Sequence, residues 1–106
     1  MFDDIERGRE LARRYGSEFV DLRDFRISSE MLGRVPVELM YRYNFVPLED
    51  MQNGKLAIAI ADPSQLLMID EIELLLRRSI EVRVSPLRQI ANLLRKTDEL
   101  HSAEQS

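Results

Sequence analysis

A chain of 106 residues can bury one hydrophobic core but not two, and its size fits a module of something larger better than a stand-alone enzyme. With 44% hydrophobic and 32% charged residues it is an ordinary globular sequence, and a net charge of -4 argues against nucleic acid as the main partner. There is no cysteine for disulfide or thiolate chemistry, no apolar run of bilayer-spanning length, and no basic signal-peptide start in Met1-Phe2-Asp3-Asp4, so the cytoplasm is the expected compartment, without direct membrane insertion.

Residues 3–15 space Ile5, Leu11, Ala12 and Tyr15 at helical intervals, and Gly16 follows where a C-cap glycine belongs. Glu18–Leu22 alternates as a short strand. Ser28 or Ser29 then caps one or two helical turns ending near Arg34, and Pro36 separates these from a second short helix, Val37–Tyr43, closed by Asn44. Phe45–Leu48 and Lys55–Ala61 read as two strands of a hairpin, because Asn53 and Gly54 both tolerate positive φ. Leu56, Ile58 and Ile60 would face one side, while the small Ala57, Ala59 and Ala61 imply close packing under a helix or neighbouring strand on the other.

Asp62 with Pro63 and Gln65 fits a capping box that starts a helix running to about Arg78. Ile80–Val84 alternates as another strand, and Ser85 as N-cap with Pro86 at the first helical position opens a last helix to about Lys96. The order α, β, α, α, β, β, α, β, α predicts an α/β (α+β) two-layer sandwich with a small, mostly antiparallel sheet of three to four strands. One domain over residues 1–96 is expected, with 97–106 a polar tail or linker.

No catalytic, cofactor or metal constellation emerges. Gly8, Gly16, Gly33 and Gly54 are scattered, so no glycine-rich phosphate loop exists, and the Asp62 carboxylate would repel a phosphate at the helix start. His101, the single histidine, lies in the polar tail as a solvated residue, which excludes a histidine metal site or a Ser-His-Asp arrangement. The ββαβα order of residues 45–96 has a KH-like cast, but the GXXG clamp is missing and no aromatic lies beyond Phe45 for base stacking.

On the helix after Pro63, Met68, Ile69, Ile72, Leu75 and Leu76 share the face that covers the sheet. Leu67 and Leu74, with Leu66 at their edge, fall on the nearly opposite side. Either the first helix covers them, the preferred reading, or they form a protein-interaction patch.

The strand "FVDL" (19–22), "SSEMLGRVPVELMYRYNFVPLED", "GKLAIAIADPSQLLMIDEIELLL" and "IEVRVSPLRQIANLLRK" together resemble the N-terminal domain of the type II secretion and type IV pilus assembly ATPases, the general secretion pathway protein E and MshEN-like family. Pro36, Pro47 within Val46-Pro47-Leu48, Asp62 and Pro63 fall in the family's order and spacing, over about residues 9–96. The resemblance implies a non-catalytic adaptor that docks a motor to the cytoplasmic domain of an inner-membrane secretion or pilus platform protein, with the Walker motifs in a separate domain. It also implies an alternative, a cyclic di-GMP-sensing module. Of the family's R-L-G-x-x-L-x-x-x-G motif only Glu10–Gly16 matches here, leaving Arg13 and Arg14 as the basic candidates.

Overall fold

The structure, a computed structural model, describes residues 3–105, with side chains described over 3–100. In chain order the elements are α1 (Asp4–Arg14), β1 (Glu18–Phe19), α2 (Ser29–Arg34), α3 (Val37–Tyr43), β2 (Val46–Asp50), β3 (Leu56–Ile60), α4 (Leu66–Leu76), β4 (Ile80–Val84) and α5 (Leu87–Gln105). The four strands form one sheet in the order β1-β4-β3-β2. The α/β class and strand number are as expected, but the sense of pairing is not: β1 with β4 and β3 with β4 are parallel, and β2 with β3 is the antiparallel pair. Helix α4 accounts for the difference, because it returns the chain across the sheet between β3 and β4, and such a crossover leaves the two strands parallel.

Local signals set most boundaries. Ser28 Oγ accepts from the Met31 amide at 3.1 Å and starts α2, while Asn44, at φ 50°, closes α3. In the β2–β3 hairpin, of the Asn53-Gly54 pair it is Gly54 that takes positive φ (87°); Asn53 instead accepts the Lys55 amide on its side-chain oxygen. β1 is shorter than predicted, since beyond Val20 the backbone turns to a side chain and the Leu22 amide donates to Gln89 Oε1 at 2.7 Å.

Three helix boundaries differ from the sequence expectation. Asp62 does not cap α4: its carboxylate accepts from the Ser64 amide (3.0 Å) and hydroxyl (2.6 Å), closing a turn that precedes the helix, and Gln65 makes no side-chain capping bond. Ser85 is tied elsewhere too, its hydroxyl donating to the Val20 carbonyl at 2.6 Å while the Ile90 amide bonds back to Pro86. Helix α5 runs on to Gln105 rather than ending near Lys96, and Thr97 is buried in it because its hydroxyl is satisfied within the helix by the Leu93 carbonyl.

The core gathers Met31, Met40, Phe45, Ile72, Ile90 and Leu94 with the sheet residues Leu56, Ile58, Ile60 and Ile80. Helix α1 lies close on β1, and a Cβ at Gly8 would stand 2.7 Å from the Phe19 ring. All five residues of β3 are buried, so the alanine face is covered as expected, but its cover includes an arginine. Arg83 on β4 pairs in register with Ala59 on β3 and Glu18 on β1. Its guanidinium reaches over β3 to Glu49 Oε2 on β2 at 3.0 Å, and bonds Glu81 (3.3 Å) and Glu18 (3.4 Å) as well. With its side chain 14% exposed, Arg83 spans all four strands, and Ala57 and Ala59 are small enough to pass beneath it.

Replacing Arg83→Ala therefore removes three ion pairs to partly exposed carboxylates and takes the aliphatic stem off β3, lowering stability by about 1–2 kcal/mol in urea denaturation. Arg83→Met, which keeps the aliphatic stem over the alanines, is expected to lose less.

Candidate functional site

The sequence offered two candidate surfaces, the leucines of α4 and the arginines at the end of α1. On α4 the structure splits the apolar residues by side. Ile72 is buried, and Met68, Ile69 and Leu76 pack partly buried against the core. Leu67 is 85% exposed, Leu74 77%, Leu66 67% and Leu75 49%. Helix α1 does not cover them, which corrects the preferred reading of the sequence. Leu75, assigned to the sheet-facing side, belongs to the exposed set instead, because it lies on the flank of the helix turned away from Ile72 and Leu76. Half of the eight large hydrophobics that stand exposed among the described residues are thus on this one helix, which makes a patch rather than scattered residues.

The C-terminal end of the helix is held in place. After Leu76 the chain leaves the helix through Arg77, at φ 55° and capped back to the Glu73 carbonyl. On the inner flank Glu73 Oε2 accepts the Ile80 amide at 3.0 Å, joining α4 to the start of β4. Arg78 then donates to Asp50 and to the Gly54 carbonyl (2.9 Å), while Arg34 on α2 reaches the other oxygen of Asp50 at 2.6 Å. These bonds from Arg34 and Arg78 hold the Asp50 carboxyl down to about 2. The anchoring roles of Glu73, Asp50 and Arg77 were not legible in the sequence: Asp50 reads there as a solvated carboxylate and Arg77 as one of several surface bases, the partners of Glu73 and Asp50 are distant in the chain or set by the fold, and Arg77 is not a residue type that announces a left-handed turn.

Arg13 and Arg14 lie on the exposed side of α1 and both approach Glu10, at 3.5 and 4.0 Å. Pro36 precedes α3, Pro47 is buried in the edge strand β2 opposite Ile58, and buried Pro63 follows the Asp62 turn at the end of β3. These four signature residues shape separate turns and a strand edge; the structure does not bring them to one site. Among the described residues no group of His, Asp or Glu is placed to hold a metal ion, and no helix is long and apolar enough to cross a membrane. The His101 side chain lies outside the described side chains.

Comparison with known proteins decides the family. The model of the MshEN domain matches residues 15–103. The chain belongs to the MshEN domain family. This MshEN domain is 28% identical over 75 residues to the type IV pilus assembly ATPase PilB of Myxococcus xanthus (strain DK1622), covering 71% of the chain but only 13% of that relative. Among solved structures, that of MshE with cdg superposes with a TM-score of 0.77 at 16% identity, covering 91% of this chain and 69% of that one. The N-terminal domain of XpsE superposes at 0.69 with 20% identity, covering 88% and 65%. At such identities the two structures establish the fold alone. Together the matches bear out the resemblance to the N-terminal domains of secretion and pilus assembly ATPases.

The Asp50 clamp gives a pH signature. A carboxyl depressed in the folded state contributes stability that is present above its unfolded value near 4 and is lost as pH falls toward about 2. Asp50→Asn is expected to be less stable than the native chain above that window, with the difference disappearing toward pH 2 in acid titrations followed by circular dichroism.

Proposed function

We propose that this MshEN domain is a non-catalytic protein-interaction module of a type II secretion or type IV pilus assembly ATPase. It docks the motor to the inner-membrane platform by binding the cytoplasmic domain of a platform protein. The observation that carries the reading is the unpartnered leucine face of α4, formed by Leu66, Leu67 and Leu74 and widened by Leu75. Family membership supplies the setting, and the small share of the pilus ATPase that the chain spans supports placing ATP hydrolysis in another part of such a protein. In this reading the domain works in the cytoplasm and reaches the inner membrane only through its partner.

A second reading, sensing of cyclic di-GMP, draws on the related structure of MshE with cdg and on the exposed Arg13 and Arg14, whose one carboxylate partner among the described residues, Glu10, is itself exposed. It is the weaker of the two, because the Arg-Leu-Gly opening of the family motif is missing ahead of Glu10.

Titration calorimetry of the domain against the cytoplasmic domain of the cognate platform protein is expected to show saturable binding, and absence of binding to every platform component would overturn the docking reading. In parallel, a cyclic di-GMP titration into the domain is expected to give no heat, whereas micromolar binding that disappears with Arg13→Ala and Arg14→Ala would put the second reading in its place.

A further inference from the structure

Resting on the docking reading, a finer statement concerns what the partner presents. Successive residues of a helix advance by about 100°, which places Leu67 and Leu74 within about 20° of one another and Asp70 and Glu71 about 50° to either side of them. The exposed strip is therefore leucine along its middle with a carboxylate on each flank, and all of these residues are exposed. Neither Asp70 nor Glu71 enters an ion pair among the described residues, although Asp4, Glu10, Glu18, Asp21, Glu30, Glu49, Asp50 and Glu81 all do. Arg77 follows the helix as its C-cap and borders one surface recess with Asp70 and Leu74 without an ion pair to Asp70.

That charge pattern discriminates between occupants. A second copy paired antiparallel through α4 sets Leu67 against Leu74, but it also sets Asp70 against its own copy on one flank and Glu71 against its own copy on the other, and Arg77 falls opposite Ser64, where it relieves neither contact. A parallel pair brings the same two carboxylates together. An anionic lipid surface is repelled for the same reason. A helix with leucine-like residues along its contact line and Lys or Arg beside them meets both flanks favourably, and apolar side chains at helical spacing are what a straight two-leucine strip of this kind accepts. We propose that α4 receives a basic amphipathic helix of its partner, with Leu67 and Leu74 as the apolar contact and Asp70 and Glu71 as the pair that selects for positive charge.

The test uses two designed amphipathic peptides with the same leucine face, one flanked by lysines and the other by glutamates, titrated into the chain by fluorescence anisotropy at low salt. The native chain is expected to prefer the lysine peptide by about tenfold, the magnitude two exposed ion pairs provide. The double variant Asp70→Lys with Glu71→Lys is expected to invert that preference. Leu67→Ser with Leu74→Ser, both at exposed positions and checked for retained helicity, is expected to abolish binding of either peptide. The inference is overturned by absence of peptide binding, by a preference that the charge reversal leaves unchanged, or by sedimentation showing a dimer of the chain that the leucine substitutions dissolve. It also falls, with the docking reading intact, when the platform protein's cytoplasmic domain binds the native chain and these variants equally; no binding of that domain to the native chain removes the docking reading itself.

Discussion

Arg83 crosses the whole sheet, and much of the architecture follows from that crossing. Its guanidinium leaves β4, passes over Ala57 and Ala59 and meets Glu49 on β2, while Glu18 on β1 and Glu81 on its own strand complete the set of carboxylates. A bulkier residue at either alanine would lift it off the sheet. Arg83 shares this side with apolar packing, since Ala59 and its register partner Val46 are fully buried members of the core, and β3 is buried along its full length. Leu56, Ile58, Ile60 and Ile80 are left to build the main core with Met40, Ile72, Ile90 and Leu94. The short strand β1 is part of the same arrangement, since a parallel strand of two residues gains an extra tie through Glu18.

A fixed sheet in turn fixes α4. The helix is entered through the Asp62–Ser64 turn and left through the left-handed Arg77, and Glu73 fastens its inner flank to the Ile80 amide. The Asp50 carboxylate, shared by Arg34 and Arg78, ties the segment after α4 to the hairpin and to α2. With these restraints α4 cannot roll to bury Leu67 and Leu74 without pulling Ile72 out of the core. The leucines are exposed because the fold has already used the other side of the helix, and an apolar strip maintained in that way is what a docking surface requires. On the proposed docking reading, its acidic flanks narrow the kind of partner it accepts.

The legible part of this fold was its local part. Ser28 before α2, Pro36 before α3, Asn44 after it and the Gly54 turn each act within a few residues, and each lies where the sequence put it. Strand sense was not legible by that route: two antiparallel strands joined by a tight turn are announced by Asn53-Gly54, whereas the parallel pairing of β3 with β4 depends on where α4 lies in space. Asp62 shows a subtler failure, because the same short carboxylate suits a helix cap or a turn three residues earlier, and the hydroxyl of Ser64 decided between them. Thr97 misled in another way, its polar side chain being buried at no loss once it bonds the Leu93 carbonyl. For the site, helical spacing separated Leu67 and Leu74 from the core face correctly, but whether another element covered them required the position of α1. The family resemblance reached further than the residue patterns, since its ordered motifs identified the domain that the matches then established.

On the proposed reading, the outward face of α4 is the surface this domain offers to another protein. Backbone hydrogen exchange, followed residue by residue with and without the cytoplasmic domain of the platform protein, tests it most directly. Slowed exchange centred on Leu66–Leu76 and the turn through Arg77 is expected, with Asp4–Arg14 unchanged. Slowing confined to α1, with α4 exchanging as in the free chain, would contradict it.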